Sequence, residues 1–457
     1  MKPILAVAAT GMLGSGFREE SYLAALAERP DFVACDSGST DPGPYLLGSG
    51  KPYQSRIACK RDLRVMLRGA VPLGIPVIVG SAGGAGTDQH VDWMKDIVRE
   101  IAAEGRLSFR LALIRAEQEP DYLKRKLAEG RIRPLDPAPE ISAEVIDRSA
   151  HIVAMMGAEP IQRAIADGAQ VVVTGRSSDT SIFAAIPLMR GAAPGASWHA
   201  AKILECGAAA VEQRSAPDCM MAYIDADSFL MRPPNPSLRC SPVSVAAHTL
   251  YENASPFHLY EPSGMLDTTG ANYEPADDRS VRVTGSQFVP AERYTVKLEG
   301  AELVGYQAIT IAGIRDSVVL GQIDEFLAVV RRRAESRIAE AFAGELDSNS
   351  YTLRFRVYGK NGSMGQLEPV EEIRGHEVCL LMEAVAPTQE IASAVVGAAE
   401  YIALHNPIPQ WRGSITNLAF PFAPSVTERG AVYRFNLNHL LEPEHPLEPF
   451  RIEHHEF

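Results

Sequence analysis

The sequence predicts an α/β fold: a mainly parallel sheet in a large N-terminal lobe, with a C-terminal α+β lobe of antiparallel strands and helices. Three observations carry this. Short apolar, β-branched runs alternate with amphipathic helical patterns through roughly the first 180 residues. Four loops rich in Gly, Ser, Thr and Asp each follow an apolar run, as the carboxyl ends of parallel strands require. From Tyr294 the rhythm changes to two strands followed by a helix, twice over.

In order, Ile4–Ala9 is predicted as a buried strand, Arg18–Ala27 as a helix and Phe32–Cys35 as a second strand. Lys60–Leu67 is predicted helical, with Leu63, Met66 and Leu67 on one side and Arg61, Arg64 and Arg68 near the other. Ile75–Val79 follows as a strand. Val91, Met94, Ile97, Val98 and Ile101 then recur at helical spacing, with Thr87 or Asp88 available as the cap. Leu107–Ile114, Ile152–Met155 and Val171–Val173 are further strands, separated by helices over Glu119–Glu129 and Pro160–Asp167. Residues 225–293, rich in Pro, Ser, Asn and Asp, form an irregular region carrying short strands. Tyr294–Leu298, Tyr306–Ile311, Tyr351–Tyr358 and Glu377–Ala384 are predicted strands. A helix capped by Asp316 and a second over Pro387–Leu404 pack on them. The expected organisation is an α/β ligand-binding lobe at 1–210, an irregular segment completing the site at 211–293, and an α+β lobe at 294–457.

At 457 residues, several lobes are expected rather than one core. The 46% hydrophobic and 22% charged fractions suit a folded chain. A formal charge of -13 argues against a nonspecific nucleic-acid or anionic-membrane surface, but not against an anionic small molecule, because pockets are set locally. None of the six cysteines forms a CxxC pair, so reduced thiols are expected. The opening apolar run is too short for a signal-peptide core, and no later stretch is long enough to span a bilayer. A cytoplasmic location is therefore expected, and a homo-oligomer on class grounds.

The segment Gly80–His90 (GSAGGAGTDQH) is the sharpest local signal. Gly83, Gly84 and the backbone around Thr87 suit an anion at a helix start, with Asp88 or His90 beside it as acid, base or metal ligand. Asp88 serves equally as a helix cap, and His90 as a first-turn residue. The Gly-Lys-Ser/Thr ending of a P-loop is absent. In Thr10–Phe17, Gly11, Gly14 and Gly16 stand in the wrong order for a dinucleotide fingerprint, so NAD is not expected. Ser15 on that loop is a candidate ligand contact.

Asp36–Pro44 packs Asp36, Ser37, Ser39, Thr40 and Asp41 into one loop. These hard oxygens suit a divalent cation, or equally the caps of Gly- and Pro-imposed turns. Asp36 directly follows a strand and has the best crevice position. In Thr174–Ser181, Arg176 suits a substrate carboxylate, with Ser177 beside it; Asp179 is read as a helix cap. His258, near Glu261 and Asp267, is a further acid–base candidate, and His439 is read as structural. No GxSxG elbow or Ser–His–Asp context occurs.

The ordered set GSGF, GSAGGAGTD, VVVTGRSSDTS, VKLEGAELVGYQAITIAGIRD, GSMGQLEP and NLAFPFAPSVTERGAVYRFNLNH resembles the acyclic terpene utilisation, AtuA-like family over nearly the whole chain. The resemblance implies bacterial catabolism of acyclic terpenes or branched acids, and a small companion protein as partner. It supplies no catalytic residue set. The polar Asp36 loop favours a short hydroxylated or carboxylated substrate over a long prenyl chain. The leading expectation is a lyase or hydratase acting by acid–base catalysis on a small carboxylic acid or its CoA thioester, with Asp36, Asp88, His90 or His258 moving the proton. The alternatives are hydrolysis or acyl transfer, and a non-catalytic ligand-binding subunit.

Overall fold

A computed structural model describes residues 2–343, 346–409 and 416–457. The chain divides into two compact units: residues up to Glu302 together with Phe435–Phe457, and Leu303–Arg434. The short strands of the irregular segment belong to the first unit.

The first unit is built on a ten-stranded sheet. Its strands are β1 (Ile4–Ala8), β2 (Phe32–Asp36), β3 (Val77–Gly80), β4 (Arg110–Arg115), β6 (Val171–Thr174), β7 (Met220–Ile224), β8 (Phe229–Arg232), β9 (Asn272–Pro275), β10 (Val281–Thr284) and β14 (Arg451–Glu456). A separate strand, β5 (Ser149–Met155), precedes β6 in the chain and pairs elsewhere. The sheet order is β9-β10-β8-β7-β1-β2-β3-β6-β4-β14. Only the central β1-β2-β3-β6-β4 block is parallel. Antiparallel strands flank it: β7 pairs with β1, and β14 with β4. The mainly parallel expectation therefore becomes a mixed sheet, because the chain beyond residue 210 and its last strand extend both edges.

Period-two alternation divides the central strands between two cores. Val7, Val33, Val77, Val79 and Leu111 face α1 (Glu19–Ala27), α2 (Arg56–Ala70) and α3 (Asp88–Gly105). Ala6, Ala34, Ile78, Ala112 and Val172 face α4 (Glu159–Ala166), α5 (Ser181–Met189) and α6 (Pro194–Leu204). The loops after β2 and β3 lead to one face of the sheet and the loop after β6 to the other. A crevice opens at the carboxyl edge where such connections diverge.

The predicted strands Tyr294–Leu298 and Tyr306–Ile311 form one continuous strand, β11 (Val296–Ile314). Gly300 fits inside it because a Cβ there would come within 2.6 Å of the Leu437 side chain. The start of β11 pairs with β5, Glu299 opposite Val153 and Ala301 opposite His151. In the second unit, the end of β11 pairs antiparallel with β13 (Val378–Ala386), which pairs with β12 (Thr352–Tyr358). The helices α7 (Ile323–Ala341) and α8 (Gln389–His405) share a core with these strands through Ala308, Ala312, Val330, Leu380 and Val395. Asp316 caps the short helix before α7, accepting from the Val318 and Val319 N–H groups at 2.9 Å.

Candidate functional site

The carboxyl ends of β1, β2 and β6, the end of α6 and the segment before β7 enclose a polar cavity of about 660 Å³ within the first unit. Thr10 and Ser15 line it from the β1 loop, Asp36 and Gly38–Asp41 from the β2 loop, and Arg176 and Asp179 from the β6 loop. Glu205 and Cys206 contribute from the end of α6, and Arg214 and Asp218 from the segment that follows. Tyr251 and Glu252 complete the wall.

Asp36 ends β2 and is only 4% exposed. Its Oδ2 accepts from the Gly38 N–H at 2.9 Å, while its buried Oδ1 has no hydrogen-bond partner. No salt bridge reaches it among the described residues. Gly80 on β3 makes room for it, since a Cβ there would lie 2.7 Å from Oδ1. Burial pushes the Asp36 carboxyl well above the usual range and the Asp179 charge adds to this, against the pull of Arg176 and the Gly38 and Ser37 amides.

Arg176 is anchored from behind. Its Nε donates to Glu299 Oε2 at 2.9 Å, and a terminal nitrogen reaches Ser81 Oγ at 3.3 Å. Burial alone would raise Glu299, but Arg176 and Lys297 hold it down at about 2. Arg176 therefore enters the cavity already paired with a buried carboxylate, and only its flank faces Asp179, at 3.7 Å. Asp179 is not a helix cap: Thr180 holds the N-cap position of α5, and no side chain caps it. The Asp179 carboxylate lies deep in the crevice yet stays 44% exposed to it. Burial raises its pKa, opposed by Arg176 and Lys202.

Glu205, 7% exposed, accepts from Lys202 Nζ at 2.6 Å. Burial pushes it up to about 8; Lys202 pulls the other way, while Asp179 and Glu261 push further. Cys206 beside it is also raised, first by burial and then by Glu205. The lining thus carries Asp36, Asp41, Asp179, Glu205, Asp218 and Glu252 against two arginines, one of them already paired. Among the described residues no three His, Cys, Asp or Glu side chains converge to hold a metal.

A family model described as acyclic terpene utilisation family protein AtuA matches residues 49–417. The chain belongs to this family. No curated protein and no solved structure matches it. Within the span matched by the AtuA family lie Arg176, Asp179, Glu205, Arg214 and Asp218; the β1 and β2 loops, with Asp36, precede it.

Of the residues singled out from sequence, the fold brings Ser15, Asp36, Ser39, Thr40, Asp41 and Arg176 to the cavity lining, and with them Asp179, which was read as a cap. The others sit elsewhere. Thr87 is the N-cap of α3, accepting from the His90 N–H at 3.3 Å. His90 is fully buried, its Nδ1 accepting from the Thr87 N–H at 3.4 Å and its Nε2 without a hydrogen-bond partner. Burial lowers its pKa, so it packs as a neutral ring. Gly83 admits that ring, and Gly84 the Leu46 and Tyr53 side chains, so these glycines serve close packing. Asp88 pairs with Arg451 at 2.6 Å. Ser37 is buried, its N–H donating to the Gly80 carbonyl. Ser177 is buried in a network with Ser81 and Thr174. His258 lies on the small sheet His258–Glu261, Gly264–Asp267, Gln287–Pro290, 3.7 Å from Asp267. His439 is buried, its Nε2 against the Pro139 carbonyl at 3.0 Å.

Sequence reasoning missed Glu205, Arg214 and Asp218. No motif surrounds them; a charged pair Lys202–Glu205 at i,i+3 at the end of an otherwise uncharged, buried helix is the local signal.

Proposed function

We propose that this member of the acyclic terpene utilisation family is an acid–base enzyme of the hydro-lyase type, acting in the cytoplasm on a short hydroxylated carboxylic acid or its thioester. The observation that carries the reading is Asp36: a buried carboxyl group at the carboxyl end of a parallel strand, lining a cavity, with one oxygen unpartnered and no counter-ion in contact. Such a group is poised to exchange a proton with a bound molecule. A cavity of about 660 Å³ suits a small molecule, and its carboxylates and hydroxyls suit a hydroxylated one better than a bare prenyl chain.

In this reading the carboxylate form of Asp36, made strongly basic by burial, takes the proton from the carbon beside the carbonyl group. Arg176 fixes Asp179 next to it, and the negative Asp179 keeps Asp36 basic enough to act. As the C–O bond to the departing hydroxyl breaks, a C=C bond forms and water leaves after gaining a proton. The covalent alternative finds less support. Ser81 is buried and bonded to Ser177 and Arg176, with no histidine among its hydrogen-bond partners in the described residues, and Cys206 is held as a thiol. A small companion protein and self-association remain part of the proposal on family and class grounds.

Incubating the full chain with a panel of short 2- and 3-hydroxy acids in D₂O tests this. One of them should exchange its α-hydrogen and lose water, and Asp36→Asn should slow both about 10²–10⁴-fold. Unchanged turnover in Asp36→Asn would sink the assignment.

A further inference from the structure

The proton that leaves on oxygen needs its own donor, and the cavity holds a second buried carboxyl group that the reading above does not use. Glu205 closes the last turn of α6 as its C-cap residue and lines the same cavity as Asp36. One hydrogen bond holds it, from the Lys202 ammonium at 2.6 Å. Lys202 is itself buried, 3% exposed, and sits 6.0 Å from the centre of the Tyr251 ring, another cavity residue.

We propose that Glu205 is the general acid that protonates the departing hydroxyl, with Lys202 as its positioning residue; this rests on the hydro-lyase reading. In the ground state the carboxylic acid form is favoured by burial and by the neighbouring Asp179 and Glu261 charges. As the C–O bond breaks, Glu205 gives its proton to the leaving oxygen and becomes a carboxylate. That charge develops beside the Lys202 ammonium, which stabilises it more than it stabilised the neutral acid; such differential stabilisation lowers the barrier. The balance closes: Asp36 gains the proton from carbon, Glu205 loses one to oxygen, and water departs. Exchange with solvent resets both groups. Asp179 is the more exposed of the two, at 44%, and it faces Arg176 at 3.7 Å, so the donor role falls to the more buried Glu205.

The two carboxyl groups then separate experimentally. With a hydroxy acid that wild type dehydrates, Glu205→Gln should keep solvent-deuterium exchange at the α-carbon while slowing loss of water about 10²-fold or more. Asp36→Asn should lose both. Lys202→Met should slow water loss and move the alkaline limb of its pH profile, with exchange retained; Lys202→Arg should restore part of the rate. Water loss at the wild-type rate in Glu205→Gln, or equal loss of exchange and dehydration in that variant, overturns the assignment. If wild type neither exchanges nor dehydrates any acid in the panel, the hydro-lyase reading itself fails. Circular dichroism and melting curves of each variant separate misfolding from loss of chemistry.

Discussion

Two clusters of ionisable side chains sit on the carboxyl edge of the same parallel block, and they differ in how their charges are met. Beyond β3 and β4, Asp88 pairs with Arg451, Glu117 pairs with His151 at 2.5 Å, and Glu117 also accepts from the Asp88 N–H at 2.8 Å. Arg115 is held by Glu453 and Asp92. Beyond β1, β2 and β6, Asp36 has no counter-ion in contact, and Asp179 faces Arg176 only at 3.7 Å. The first cluster binds the fold to itself. The second leaves buried polar capacity open to a cavity, which a structure built only for stability would not do. Residue type does not separate the two, and neither does hydrogen bonding alone, since Asp88 Oδ1 is also buried without a partner; what sets Asp36 apart is the lack of a contacting counter-ion among the described residues.

The contrast breaks most sharply in activity. Asp88→Asn and His90→Gln should leave turnover within a few-fold of wild type, whereas Asp36→Asn should cost about 10²–10⁴-fold. Steady-state rates on one hydroxy acid decide this, and equal losses would erase the distinction. Next in size is the anchor behind the cavity. Arg176→Met leaves the buried Glu299 carboxylate with Lys297 alone, at 2.9 Å, and should destabilise by about 3 kcal/mol in urea unfolding. Glu299 is held at about 2, so its stabilising contribution is full above the unfolded value of 4.5 and lost as pH falls toward 2. An acid titration should show wild type and Arg176→Met converging there.

Smaller still is the paired cluster. Glu117→Gln removes a charged partner from the half-buried His151 and should cost about 1.5–3 kcal/mol with activity unchanged. Asp36→Asn should show the opposite sign. Because the folded-state pKa of Asp36 is raised, its ionised form costs stability as pH rises from the ordinary carboxylate range toward that value. The variant should therefore match wild type near pH ~4 and exceed it by about 0.5–2 kcal/mol near pH ~8. A stability loss at both pH values would mean that Asp36 is satisfied in a way its geometry does not show. The smallest effect is Thr87→Ala, about 1 kcal/mol from the lost cap of α3, with the cavity untouched.

Much of the scaffold was legible because it is local. Alternating apolar runs located β1, β2, β3, β4 and β6 to within a few residues, and Thr87 was correctly weighed as a cap. The Asp36 loop was legible as well, since a carboxylate at the end of a buried strand has few other places to go. The Gly80–His90 segment misled for a physical reason: glycines that let a backbone approach an anion are indistinguishable in sequence from glycines that let it approach a histidine ring. His258 misled because a His near carboxylates also suits a hairpin.

What the sequence by itself determined is the central strands with several of their helices, the loops that end those strands, and Asp36 as one of four candidate proton carriers. Only the tertiary structure decided which charges are free. Arg176 looked available for a ligand until Glu299, 123 residues away, was found beside it, and Glu205 had no claim until α6 brought it to the same cavity as Asp36. Helix and strand preferences are set by near neighbours along the chain, so a sequence shows them. Whether a buried charge is met depends on partners that the sheet brings together from distant segments, and that is fixed only when the chain has folded.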